Sequence, residues 1–184
     1  LQPQLHNGCF DLESIAPTLN AIAGINGSFF NSSCQPLNMV KADGTLHSSN
    51  TLHASQGNAY QQRSMGWNQG APTLSWIDQN VDWSGVSNAV GGYPSLVNNG
   101  TAFAEIYPGE QVWSSTDWSD NPRTGMGVDS SGTVYMVTVD GRTSMGTGMT
   151  TTEFGELFRD LGATEAIGLD GGGSTTMYIK DCWH

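Results

Sequence analysis

Asp170 stands between an apolar run, Ala166-Ile167-Gly168-Leu169, and three consecutive glycines, Gly171, Gly172 and Gly173, with Ser174 and Thr175 directly behind them. An acid at the end of a strand, opening into a loop without side chains and closing on hydroxyls, offers an acceptor, N–H donors and O–H donors in one short stretch. That combination suits an anionic ligand. Two of the six cations, Arg123 in Asn121-Pro122-Arg123-Thr124-Gly125 and Arg142 in Asp140-Gly141-Arg142-Thr143, each sit beside a glycine and a hydroxyl. A guanidinium fork with neighbouring N–H and O–H groups is what a phosphate or carboxylate needs, whereas each arginine taken alone reads as a surface charge. Hydrolysis needs an acid or base beside those cations, and Asp140, Glu153 and Asp170 are the carboxylates at ends of elements. Glu153 also explains itself as the capping partner of Thr150, and Asp140 as a turn residue before Gly141. Asp170 has no such simple structural explanation.

Other chemistries fit poorly. His6, His47, His53 and His184 lack metal-ligand spacing, and Cys9, Cys34 and Cys182 form no CxxC pair. No cofactor is required by the pattern; a divalent cation such as calcium, held in turns at Asp129 or Asp140, is left open, although nothing resembles an EF-hand loop. The glycines lack the lysine of a nucleotide P-loop, and Gly172-Gly173-Ser174 is not a nucleophile elbow. A net charge of -11, from 17 acids against six cations, argues against nucleic acid or an anionic membrane as partner. Charged residues make up only 12% of the 184, with 24 glycines, so the surface is polar through Ser, Thr, Asn and Gln. Such a composition points outside the cell. No apolar run approaches transmembrane length, and Leu1 to Phe10 lacks the features of a signal peptide, which suggests a processed chain or a piece of a larger protein. Of the three cysteines, Cys9 with Cys34 is the favoured pair, against three free thiols.

The elements that must carry these residues read as one domain over 1–184, of α+β class: a mixed, mostly antiparallel sheet with hairpins and two or three covering helices. Asp11 to Ala23 has helical spacing that Pro17 shortens. Ala21 to Asn26 reads as a buried strand, and Met39 to Leu46 as a hairpin turning at Asp43-Gly44. The span 47–87, rich in Ser, Gln, Asn and Trp, reads as a variable surface insertion with a short strand at Thr73 to Ile77. A Gly-Gly turn at Gly91-Gly92 precedes a strand that ends in the Asn99-Gly100 turn. Arg123 to Val128 and Thr133 to Val139 make a hairpin around Asp129 to Gly132. Thr150-Thr151-Thr152-Glu153 matches a capping box that starts a helix burying Phe154, Leu157, Phe158 and Leu161, stopped by Gly162. The strand Glu165 to Asp170 follows.

Taken in order, Gly24-Ile25-Asn26-Gly27-Ser28-Phe29-Phe30, Gly91-Gly92-Tyr93-Pro94-Ser95-Leu96-Val97, Arg123-Thr124, Val139-Asp140-Gly141-Arg142, Gly148-Met149-Thr150 and Leu169 to Thr176 resemble the phosphodiester glycosidase family. The resemblance covers residues 11–180, and the order of six motifs is more specific than any one of them. It implies hydrolysis of a sugar-1-phosphodiester to free sugar and a phosphomonoester. It also implies substrate or phosphate contacts from Asn26, Phe30, Arg123, Thr124, Arg142, Gly171 to Gly173, Ser174 and Thr175, with Asp170, Glu153 or Asp140 as acid, base or nucleophile. Ser28 stands where the family usually has a second glycine, which would narrow or re-aim the pocket. The implied partner is a carbohydrate phosphodiester outside the cell, on a free enzyme, an oligomer or a larger surface assembly. The rival is a glycan-binding module of a surface fibre or virion tail, stacking sugars on Trp67, Trp76, Trp83, Trp113 and Trp118. A phosphodiesterase for a non-sugar alcohol is a second rival.

Overall fold

The computed structural model describes residues 1–4, 9–51, 61–102 and 119–180. Twelve strands run β1 (Ala23–Ile25), β2 (Val40–Ala42), β3 (Thr45–Ser48), β4 (Gln61–Trp67), β5 (Thr73–Asp78), β6 (Asn88–Gly91), β7 (Ser95–Asn98), β8 (Thr101–Ala102), β9 (Arg123–Val128), β10 (Val134–Val139), β11 (Glu165–Gly168) and β12 (Met177–Ile179). They form two five-stranded sheets, ordered β3-β2-β6-β4-β5 and β10-β9-β11-β7-β8, and a β1-β12 ribbon. The pairings described are antiparallel throughout, so the sheets are not mixed.

The two five-stranded sheets face each other across Met65, Trp67 and Val90 on one side and Met126, Ile167 and Leu169 on the other. Helix α2 (Thr151–Asp160) covers the second sheet's outer face. Alternation along β9 decides this layering: Met126 and Val128 are buried apolar side chains, while Gly125 and Gly127 leave room on the opposite face. A Cβ on Gly125 would stand 2.9 Å from Phe154 Cε1, Phe158 Cε2 and the Ile167 carbonyl. The absent side chains are thus what allow both phenylalanine rings, nearly fully buried and edge-to-face at 5.1 Å, to lie on the strand.

Among the described residues, the expected two or three covering helices reduce to this one. Helix α1 (Leu12–Ile15) has no side-chain cap and no buried residue, and passes into a 3₁₀ turn at Ala16–Leu19 that ends on left-handed Asn20. Pro17 removes the donor a longer α-helix would need there. In α2, Phe154 and Phe158 are buried as expected, but Leu161 is 44% exposed, because Gly162 turns the chain away before it reaches the core. No helix among the described residues is long and apolar enough to cross a membrane.

Of the span 47–87, read as a variable surface insertion, residues 52–60 lie outside the described residues and the rest includes interior strand. Strand β4 is central in the first sheet, with every residue from Gln62 to Trp67 buried. Its polar side chains are internally paired: Gln62 accepts from Asn38 at 3.1 Å, Ser64 from Asn50 at 3.3 Å, and Arg63 pairs with Glu165 of β11, beneath Trp76. That ion pair ties the two sheets together. Cys9 and Cys34 are disulfide-bonded, with Cα atoms 5.3 Å apart; Cys182 lies outside the described residues.

Gly125→Ala is expected to destabilise the fold by about 1–3 kcal/mol, because a backbone carbonyl on one side leaves the two rings to move. Urea unfolding reads this directly, and an unchanged midpoint would refute the layering argument.

Candidate active site

Register brings the candidate residues to one end of the second sheet. Arg123 pairs with Val139, so the start of β9 lies beside the exit of β10 that leads to Arg142. Gly168 pairs with Gly125, and the Leu169 N–H donates to the Thr124 carbonyl at 2.8 Å, so the Asp170 loop emerges at the same end. The start of α2 and the Tyr93-Pro94 approach to β7 complete a cleft of about 290 Å³. Arg123, Thr124, Arg142, Asp170 and Gly171 to Gly173 line it, with Phe29, Tyr93, Leu96 and Phe154 as its apolar wall.

Asp170 is half-buried, and its carboxyl is held above its ordinary value of 3.8, chiefly by desolvation and against hydrogen bonds from Ser174 and the Gly171 N–H. Among the described residues it forms no ion pair, although two guanidinium groups share its cleft. Arg123 donates from Nε to the Met149 carbonyl at 2.8 Å and from Nη2 to the Ser119 carbonyl at 2.7 Å. Arg142 donates from Nε and Nη2 to Asn121 Oδ1, at 3.0 and 2.6 Å. The glycine loop curls into a 3₁₀ turn at Gly172–Ser174. Its amides are largely used within the protein: Gly172 N–H donates to Pro122, Ser174 N–H to Gly171 and Thr175 N–H to Gly172. What the loop contributes is close approach, since Gly172, at φ +58°, packs against the Arg142 guanidinium where a Cβ would stand 3.3 Å from Nη2.

The remaining expected residues fall into three groups. Asn26 is a brace beneath the cleft: its Nδ2 donates to the Asp170 carbonyl at 2.7 Å, and its Oδ1 accepts from Thr124 Oγ1 at 2.8 Å and Thr176 N–H at 3.1 Å. Thr124 lines the cleft, but its hydroxyl is committed to that brace. Thr175 follows the loop, its Oγ1 buried and without a hydrogen-bond partner among the described residues. Two acids stand apart from the cleft lining. Glu153 closes the capping box, accepting from the Thr150 N–H at 2.9 Å, which holds its carboxyl below the ordinary range. Asp140 is exposed. The aromatic pair divides the other way from expectation, since Phe29 lines the cleft while Phe30 is 47% exposed and bridges to Pro36. Ser28 does not narrow the cleft; its hydroxyl turns to Asn38 Oδ1 at 2.9 Å.

Asn121, read in the sequence only as a flank of Arg123, is the residue that holds Arg142. Its signal was its place directly before Pro-Arg, which did not reveal a partner 21 residues away. The tryptophans have structural positions: Trp67 is buried, Trp76 stacks on Arg63, and Trp83 fills the space over Gly66, while Trp113 and Trp118 lie outside the described residues. Asp129 binds Ser131 and Thr133 of its own turn, and among the described residues no three His, Cys, Asp or Glu side chains converge as a metal site would require; His6, His53 and His184 lie outside them.

A family model for phosphodiester glycosidases matches residues 19–183. The chain belongs to the phosphodiester glycosidase family. Its fold is similar to the catalytic domain of zebrafish N-acetylglucosamine-1-phosphodiester alpha-N-acetylglucosaminidase, auto-inhibited by its pro-peptide, with a TM-score of 0.74 at 24% identity, covering 95% of this chain and 58% of that one. A hypothetical protein from Synechocystis matches at 0.70 and 18% identity, covering 97% and 52%. A putative exported protein from Burkholderia pseudomallei K96243 matches at 0.57 and 15%, covering 97% and 65%. The SPbeta prophage-derived uncharacterized protein YomE of Bacillus subtilis (strain 168) is 41% identical over 69 residues, which are 35% of this chain and 11% of YomE. The chain thus spans less than two thirds of each of these relatives.

Two substitutions separate brace from cap. Asn26→Ala removes partners from three segments at once and is expected to cost roughly 1–3 kcal/mol, measured by chemical denaturation. Glu153→Ala should lower Tm while leaving turnover per folded molecule intact. Because the folded Glu153 carboxyl is more acidic than the unfolded one, its contribution is present above the unfolded value and lost as pH falls through the folded one. The Tm difference between wild type and Glu153→Ala should therefore shrink in acid, and a loss of turnover at full folding would return Glu153 to the chemistry.

Proposed function

We propose that this chain hydrolyses a sugar-1-phosphodiester in a glycan or cell-surface polymer, releasing free sugar and a phosphomonoester. The observation that carries the reading is a half-buried carboxyl, without an ion pair among the described residues, sharing one cleft with two oriented guanidinium groups. Family membership supports the same reaction class. Arg123 and Arg142 receive the phosphate and stabilise charge as it departs. A phosphomonoester is already an anion of about -1.5 to -2 near neutral pH, so cation stabilisation matters more than protonation of the leaving oxygen. Asp170 then serves best as proton acceptor. Water adds to the anomeric carbon, its proton passes to the Asp170 carboxylate, and the bond from that carbon to the bridging oxygen breaks with its electron pair on the phosphate. The raised Asp170 value brings that carboxylate closer to the working pH. The apolar wall of Phe29, Tyr93, Leu96 and Phe154 offers packing for a sugar ring.

The Cys9–Cys34 disulfide and the cation-poor composition support a place outside the cell. Nothing in the proposed chemistry requires a cofactor, and a chelator arm in the assay tests for a divalent ion.

The deciding assay compares wild type with Asp170→Asn on a panel of sugar-1-phosphodiesters, reading sugar and phosphomonoester separately. Turnover in wild type and its loss in Asp170→Asn are expected; release of neither product by wild type, with glycan binding retained, would favour the binding module. As a base, Asp170 gives an acid limb in kcat/KM with a midpoint above the ordinary aspartate value, and an alkaline limb at that position would assign it as acid instead. Stability runs opposite to activity here. A folded value above the unfolded one stabilises below the unfolded value, and this is lost as pH rises through the folded one. Asp170→Asn should thus gain Tm over wild type as pH rises to 7, and a variant losing ground over that range would contradict the desolvated carboxyl.

A further inference from the structure

We infer that Asn121 is the positioning residue of this cleft: a buried neutral amide that aims the Arg142 guanidinium while leaving its charge uncompensated for an anion. The inference rests on the phosphodiester reading of the cleft and adds a residue that need not touch substrate.

The chain has 17 acids for six cations, so a carboxylate is the statistically easy partner for any arginine. Several cations take one: Lys41 pairs with Asp82 at 2.7 Å, Arg159 with Asp160 at 2.9 Å, and Arg63 with Glu165. Arg142 does not. Its Nε and Nη2 converge on a single amide oxygen, Asn121 Oδ1. A carboxylate there would hold the fork more strongly and cancel its charge. The neutral oxygen supplies direction without neutralisation.

Asn121 is itself fixed. It is 9% exposed, its backbone exchanges hydrogen bonds with Met149 at 3.1 and 3.0 Å, and its Nδ2 donates to the Ser119 carbonyl and hydroxyl at 3.2 and 2.7 Å. With the amide donors turned to Ser119, the oxygen faces Arg142. The arginine is held from other sides as well. Its backbone sits at φ +57°, a conformation uncommon outside glycine, with its N–H bonded to the Thr147 carbonyl at 3.2 Å. Gly172 covers one face of the guanidinium. The edge carrying Nη1 is the part of the fork that Asn121 does not occupy, and Arg142 lines the cleft.

The test is calorimetric titration of the whole chain with inorganic phosphate at constant salt over a series of pH values, for Asn121→Ala and the nearly isosteric Asn121→Asp, each read relative to wild type at the same pH. Asn121→Asp is expected to weaken phosphate binding tenfold or more at neutral pH, and to recover part of it as pH falls and the new carboxyl is protonated. Asn121→Ala should weaken it without that recovery. Phosphate affinity within twofold of wild type in folded Asn121→Asp would overturn the inference. A measurement on wild type alone keeps it exposed even if the variants fail to fold: ¹⁵N NMR should find rotation about the Arg142 Nε–Cζ bond hindered, and free rotation would refute the hold. Phosphate binding that depends on Asn121 in a protein that releases no sugar would remove the proposed reaction and leave this inference standing. Sugar release with phosphate affinity indifferent to Asn121 would do the reverse.

Discussion

The carboxamide of Asn26 is the constraint on which the cleft depends. It sits at the end of β1 and bonds at once to the Asp170 carbonyl, the Thr124 hydroxyl and the Thr176 N–H. Those partners belong to the glycine loop, to β9 and to the approach to β12, segments up to 150 residues from Asn26 in the chain. A carboxamide donates and accepts at once, which an ionised carboxylate cannot do. Asn26 adds a side-chain tie to the backbone bonds, Leu169 N–H to Thr124 and Gly172 N–H to Pro122, that hold the Asp170 loop against the strand bearing Arg123. The β1-β12 ribbon closes around the same point, with Ile25 paired to Met177.

Charge is distributed to match. Where the fold needs a buried cation it neutralises it, as in the Arg63–Glu165 pair that joins the two sheets beneath Trp76. In the cleft the pattern changes. Arg142 is anchored by an amide oxygen and Asp170 is half-buried, and among the described residues neither forms an ion pair. Groups arranged at a cost to stability are the ones expected to act on a ligand. Glu153 is the contrast: an acid fully explained by its helix cap, with a lowered value that suits a carboxylate held ionised.

Much of this was legible where local chemistry decides the outcome. Asp43-Gly44 and Asn99-Gly100 both take positive φ and turn their hairpins as their residue types demand. The Thr150–Glu153 box starts α2 as read. Legibility ended where partners are distant. Gln62, Arg63 and Ser64 look like a solvated segment, and only Asn38, Glu165 and Asn50, folded onto them from elsewhere, make β4 a buried central strand. Phe29 and Phe30 follow a motif outside any regular strand, so no alternation told which would face the cleft. Asn121 was hidden for the same reason: its partner is fixed by the β9–β10 register, not by neighbours in sequence.

A glycosidase and a phosphodiesterase would place the same substrate over the same arginines, and differ in which bond to the bridging oxygen breaks. Hydrolysis in ¹⁸O-labelled water, with both products read by mass spectrometry under conditions that limit exchange at the anomeric carbon, distinguishes them. Attack of water at the anomeric carbon puts the label in the anomeric hydroxyl of the sugar and none in the phosphomonoester. Label in the phosphate would mean attack at phosphorus, and would contradict the assignment of Asp170 as base at a sugar carbon.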